Sequence, residues 1–285
     1  VTAARVAHGV ERRGTEHGAR GRWGGRLTKR PLPSYDPSIE ALEPDDRRAI
    51  AQVWIARAAM ERRVADAFEV IRGALSRRRA APAFIALAER AIDDEYRHAE
   101  LSRVVASRFA GTELAPPRRL SLELPRHAGA TPALRDTLYV VGQCVLNETT
   151  ASAFLEVCLA HARGELARTA LRELLSDEID HGRIGWAHLA SLARPLRAEV
   201  GRWLLPMAFL NLRTWRAHSP HDPRHRDAWT LHGAPPADVT DAALVDALRT
   251  LIVPGLEELR IPTDALRAWL DDGAPTDRPP RMLGG

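Results

Sequence analysis

At 285 residues with 45% hydrophobic side chains, the chain is long enough to bury a sizeable core, as one large domain or a domain with an extension. No apolar run reaches the roughly eighteen residues of a membrane span, and the first residues carry Arg without the apolar stretch of a secretory signal, so a soluble, cytoplasmic protein with no membrane partner is expected. The formal charge of +4 is unevenly placed: residues 1–30 hold eight Lys or Arg against Glu11 and Glu16, a net of +6, which leaves about −2 for the rest and argues against a nucleic-acid surface on the body.

Residues 1–43 are Gly-rich in "EHGARGRWGGR" and lack apolar periodicity, so they read as a disordered basic extension, with a weak polyanion contact as the lesser reading. Beyond them Val, Ile and Thr never cluster in alternating runs, while apolar residues recur at spacings of three and four. The expected fold class is therefore all-α. A first long helix opens at Pro44-Asp45-Asp46 and runs to about Arg77. A second covers about Pro82 to Ala110 and stops at Gly111. After the crossover "GTELAPPRRLSLELPRHAGATP" a third spans about Pro132–Ala162, and past Arg163-Gly164 a fourth runs to about Ala193. Residues 44–193 thus form two tightly joined pairs with a longer connection between them, the topology of a ferritin-like four-helix bundle. Over 194–285, "PLRAEVGRWLLPMAFLNLRTWRAH" predicts a strongly apolar fifth helix and "TDAALVDALRTLIVPGLEELRIPTDALRAWLDD" two shorter ones, packed on the bundle. Cys144 and Cys158 fall on one helix about 21 Å apart along its axis, too far for a disulfide, and read as buried thiols of a reducing compartment.

The core-facing stripes carry the functional signal. They run Ile50, Trp54, Arg57, Glu61, Val64, Phe68 on the first helix and Ala88, Ala91, Glu95, His98, Ser102, Val105 on the second. The third gives Val141, Val145, Glu148, Ser152, Leu155, and the fourth Leu171, Leu174, Glu178, His181, Gly185, His188. Each stripe is apolar or small except near its middle, where it carries Glu, Glu/His, Glu and Glu/His. Four carboxylates at one level of an apolar core need a cationic partner, because each buried ion costs several kcal/mol after relaxation. Two divalent ions close the charge sum, and neutral imidazoles add ligands without charge. Glu95 and His98, like Glu178 and His181, project from one helix face one turn apart and suit chelation of one ion; Glu61 and Glu148 complete or bridge the pair. Oxygen and nitrogen ligation without thiolate favours iron or manganese over structural zinc.

In this order of motifs the sequence resembles the ferritin-like di-iron carboxylate superfamily, over about residues 46–193. The resemblance implies a metal-ligand set of Glu61, Glu95, His98, Glu148, Glu178 and His181, two Fe ions as cofactor (Mn/Fe as an alternative loading), and O₂ as co-substrate. "DEYRH" is also similar to the DExRH motif of bacterial multicomponent monooxygenases. By that likeness Asp94 orients His181, Asp177 orients His98, and Arg97 ties these groups together. The second copy, "DEIDH", has Asp180 where that motif has Arg, which offers an Arg97–Asp180 pair as the alternative tie. Arg57, one turn before Glu61, either pairs with a core acid or binds a substrate carboxylate. His188 is expected as a core histidine, Tyr96 as packing, and the tract with His218, His221, His225 and His232 as a solvated loop.

The activity the resemblance implies is that of an O₂-activating oxidase or oxygenase performing N-oxygenation, hydroxylation or desaturation. A small-molecule substrate and an electron donor, a reductase or ferredoxin, are its expected partners, with a homodimer as an option. An iron-storing or peroxide-detoxifying protein is the alternative, and a binding protein with a vestigial site the non-enzyme one. The extra Glu of rubrerythrin-like peroxidases is replaced by Ala151, and the extra His of arylamine N-oxygenases by Leu174. The residues past the fourth helix suit an oxygenase cavity better than a cage.

Overall fold

Proline opens the first turn of the helices that start near residues 44, 82, 132 and 194, where its missing N–H costs nothing and its fixed φ favours the helical turn. In the computed structural model, which describes residues 27–220 and 222–279, α1 spans Pro37–Glu40, α2 Pro44–Arg77, α3 Pro82–Ala110 and α4 Pro132–Val140. Gly111 ends α3 in the left-handed region at φ 69°, which a residue without Cβ adopts freely. The chain after α4 continues as a π-helical segment, Val141–Asn147, and returns to α-helix in α5, Glu148–His161. Then follow α6 (Glu165–Ser191), α7 (Arg194–His218), α8 (Arg226–Leu231), α9 (Ala237–Ala247), α10 (Val253–Glu258) and α11 (Asp264–Asp271). The fold is all-α, with no strand among the described residues. None of the described helices is long and apolar enough to cross a membrane.

Four rods close into a ring: α2 packs on α3, α3 on α6, α6 on α5 and the π segment, and α4 back on α2. The stripes turn inward as their periodicity demands. Trp54, Phe68, Ala88, Val105, Leu138, Val145, Leu171 and Leu174 are all buried. The C-terminal helices cover the α4 side, with α7 against α4 and the π segment and α9 against α5. Their own core joins Leu204, Phe209, Leu248 and Leu256 to Leu138 and Val145 of the ring.

Two expectations are corrected. Residues 1–26 lie outside the described residues, but 27–43 are docked, not an unstructured extension. Asp36 there accepts the Ser38 N–H of α1 at 3.0 Å and the Leu166 N–H at the start of α6 at 2.9 Å, capping two helices at once. The histidine tract is likewise structured: Pro223–His225 forms a 3₁₀ turn, α8 follows, and Trp229 packs on the bundle.

Gly185 marks the closest approach of α6 to the π segment. A Cβ there would lie 2.7 Å from the Cys144 Cβ, 2.8 Å from the Val145 Cγ2 and 2.9 Å from the Cys144 carbonyl carbon. Backbone on one side cannot yield cheaply, so Gly185→Ala is expected to cost about 1–3 kcal/mol in urea unfolding. A midpoint equal to the parent's would show that the two rods are not in contact there.

Candidate metal centre

All six residues expected as ligands converge. Glu61 comes from α2, Glu95 and His98 from α3, Glu148 from the first position of α5, and Glu178 and His181 from α6. They form two overlapping groups, Glu61, Glu95, His98, Glu178 and Glu95, Glu148, Glu178, His181. In each group one donor atom per residue lies within 4.8 Å of the others. The His181 Nδ1 is 3.0 Å from the Glu95 Oε1 and 3.1 Å from the Glu178 Oε2, while the His98 Nδ1 is 3.2 Å from the Glu178 Oε1 and 3.6 Å from the Glu95 Oε2. Glu95 and Glu178 therefore face both imidazoles and occupy the shared positions. Glu61 and Glu148, expected to complete or bridge the pair, sit one in each group.

The donor set fits divalent cations. Glu95 and His98 are fully buried, and among the described residues neither Glu95 carboxylate oxygen nor the His98 Nδ1 makes a hydrogen bond of good geometry, although imidazole and carboxylate stand 3.0 to 3.6 Å apart. A buried charged group left in that state is expensive, and a cation between the groups would satisfy all three atoms. The metal-free cluster instead holds protons. Burial, with the charges of Glu95 and Glu178, raises the Glu61 and Glu148 carboxyls well above the ordinary glutamate range. Burial opposes the imidazolium form of His98 and His181, but the carboxylates around each outweigh it and lift both well above the usual histidine value. Burial would raise Glu178 too, yet the two imidazoles hold it well below. No family model matches this chain, and no curated protein or solved structure matches it significantly. The chemistry must be read from the residues themselves.

Behind the ligands, the outer nitrogens face aspartates crosswise, His98 within hydrogen-bond distance and His181 at ion-pair distance only. The His98 Nε2 lies 3.3 Å from the Asp177 Oδ2, and the His181 Nε2 3.6 Å from the Asp94 Oδ2, each aspartate standing one residue before the other helix's Glu. This arrangement points each Nδ1 inward. Arg97 ties the aspartates together, donating from Nη2 to Asp177 and, at 3.2 Å, to the Asp94 Oδ1. The alternative Arg97–Asp180 pair does not form. Asp180 lies on the outer face of α6, where it accepts from Arg90 at 2.9 Å and Arg183 at 2.7 Å, because one residue before His181 is about 100° away from the core stripe. Among the described residues Arg57 pairs with no core acid. Its guanidinium lies 4.3 Å above the Trp54 ring and donates to the Gly233 carbonyl at 2.9 Å, while its charge still favours the ionised form of Glu61.

Sequence reasoning missed two contributors. Residues 27–30 lie over this aspartate shell: the Lys29 Nζ donates to the Asp177 Oδ1 at 2.8 Å, its N–H to the Glu173 Oε2 at 2.7 Å, and Arg97 to the Leu27 carbonyl at 3.3 Å. Burial would raise Asp177, but His98, Lys29 and Arg97 hold it well below the usual carboxylate range. The second is Gln143, whose side-chain amide donates to the Glu148 carboxylate. Five residues apart on an α-helix they would diverge, and the π turn brings them together. With both His98 and Lys29 bonded to it, Asp177 is a positioning residue. Asp177→Ala should keep the fold and weaken metal affinity roughly 10–100-fold in a competitive chelator titration. Parent-like affinity would remove that role.

The remaining candidates stay apart from the cluster. His188 is buried with neither ring nitrogen bonded among the described residues, and burial depresses its pKa to about 4, so it is a neutral core ring against Phe84. His218 bonds the Thr214 carbonyl, His225 bonds Asp46, and His232 packs on Phe109; His221 lies outside the described residues. Tyr96 is half-buried among core apolar residues. Cys144 and Cys158 are free and buried, with both thiols pushed up by burial, the latter to about 12.

Proposed function

We propose that the chain is a di-iron oxidase or oxygenase of the ferritin-like carboxylate kind, acting on a small organic substrate. One observation carries this reading: four helices each deliver a Glu, two of them with a His one turn on, into two overlapping four-residue groups inside an apolar core. Two divalent ions would balance the four carboxylates. Neither group includes a cysteine, which favours iron, or iron with manganese, over a thiolate-held structural zinc. Iron bound there would supply reduction of O₂ coupled to oxidation of the substrate, with electrons returned by a reductase or ferredoxin. The chain's own residues hold the site for that task. Asp177 fixes the His98 imidazole, Asp94 faces the outer nitrogen of His181 at 3.6 Å, Gln143 holds Glu148, and Phe68, edge-on to His181 at 5.2 Å, helps keep water out.

An iron store would use the same ligands differently, passing oxidised iron on to a hollow assembly. The protein loaded with Fe(II) and exposed once to O₂ is expected to consume it, retain about two irons per chain, and need added reductant for each later turnover. Continued uptake of many irons per chain into a cage-sized particle would replace the oxygenase reading with storage. No O₂ consumption by the loaded protein would leave a binding protein with a vestigial site.

A further inference from the structure

A cleft of about 450 Å³ lies between α2, the crossover loop, the α4 and π segment, and α7. Its volume falls in the range of small-molecule sites. Met60, Val64, Leu138 and Met207 give it apolar walls, and Gly142 keeps part of it open, since a Cβ there would meet nothing closer than the Met207 Sδ at 3.8 Å. Two features set this cleft apart from a surface groove. Gln143 lines it while donating to Glu148, so a single side chain joins the cleft to the metal centre. Arg63, a half-buried residue, also lines it two residues after Glu61, and its Nε alone is buried without a hydrogen-bond partner among the described residues.

A guanidinium donor left without an acceptor beside apolar walls is costly, and an anionic acceptor satisfies it most strongly. Among the described residues no acid of the lining pairs with Arg63. Glu123, the other charged residue there, is exposed, and burial lowers the pKa of His127 so that it stays neutral. We propose that this cleft binds a small organic acid, its apolar body against Met60, Val64, Leu138 and Met207 and its acid group on Arg63, with Gln143 between it and the metal ligands. That the bound acid is the substrate rests on the di-metal reading; that the cleft binds it does not.

The test uses the full chain without metal and two fluorescent probes of similar aromatic size, the anion 8-anilinonaphthalene-1-sulfonate and the neutral N-phenyl-1-naphthylamine. Both are expected to bind saturably. Arg63→Met should weaken the anion by roughly tenfold or more and leave the neutral probe within about twofold. Gly142→Leu, or Thr214→Trp at an exposed lining position that puts folding at little risk, should weaken both by narrowing the cleft. Equal anion affinity in Arg63→Met and parent, or no effect of either filling variant on either probe, would overturn the proposal. Metal content measured on the same samples separates the two claims. Arg63-dependent binding in a chain that takes up no metal would uphold the anion site and remove only its role as substrate site.

Discussion

Glu95→Ala is expected to abolish stable occupancy of both metal positions, and His181→Ala of one. The difference follows from geometry. Glu95 belongs to both four-residue groups and faces both imidazoles, whereas His181 belongs to one. Neither change should unfold the chain, because removing one member of a dense cluster of buried carboxylates relieves desolvation and repulsion even as it opens a small cavity. Metal content after anaerobic loading and desalting is the measurement, with circular dichroism to establish folding. Equal, undiminished content in both folded variants would sink the ligand assignment. Loss of a single ion in Glu95→Ala would instead reassign the shared position.

The second large effect is a pH dependence that metal should reverse. In the metal-free protein Glu61 and Glu148 titrate well above the ordinary glutamate value, and His98 and His181 well above the ordinary histidine value. All four bind protons more tightly folded than unfolded. Their contribution is fully present below the unfolded pKa of each group and is lost as pH rises through the folded one. Glu178, whose folded pKa is depressed, acts oppositely, but its stabilisation is lost only below the ordinary glutamate range. His127, His188 and His232, whose folded pKa values burial depresses, oppose this below about pH 7 and are neutral in both states above it, so from about pH 7 to 9 the metal-free chain should lose stability. Divalent metal competes with those same protons, so its stabilisation should grow with pH, reaching roughly 4 kcal/mol for a single site at a thousandfold excess over Kd. Urea unfolding across that range, with and without Mn(II), reads both slopes. A metal-free stability that rises with pH, or an identical profile with metal, would contradict the cluster's electrostatics.

Much of this was legible in the sequence because the relevant signals are local. Pro44, Pro82 and Pro132 mark first turns, Gly111 marks a stop, and the spacing of three and four places Glu95 with His98 and Glu178 with His181 on inward faces. Convergence of those residues also followed from counting, since helices of similar length in two hairpins put their middles at one level. The illegible parts depend on backbone register or on distant contacts. The third rod was expected as one α-helix over Pro132–Ala162, yet its hydrogen bonds slip by one residue across Val141–Asn147. That slip leaves the apolar spacing intact and so has no sequence signature, although it sets Gln143 beside Glu148. Lys29 looked like one charge among eight in a basic tail. Nothing local shows that its partners are Asp177, about 150 positions on, and Glu173. Arg97 meets Asp177 and not Asp180 for a plainer reason: helical phase, which the sequence itself carries, turns Asp180 outward.

The most direct test of the central claim is a metal count on the unaltered protein. The chain is purified without metal, loaded anaerobically with excess Fe(II), desalted, and assayed for iron and protein on the same sample. About two irons per chain are expected from two overlapping groups that share Glu95 and Glu178. Retention of no iron, in protein that is folded, would show that the buried Glu and His residues satisfy one another with protons alone and that the centre holds no metal.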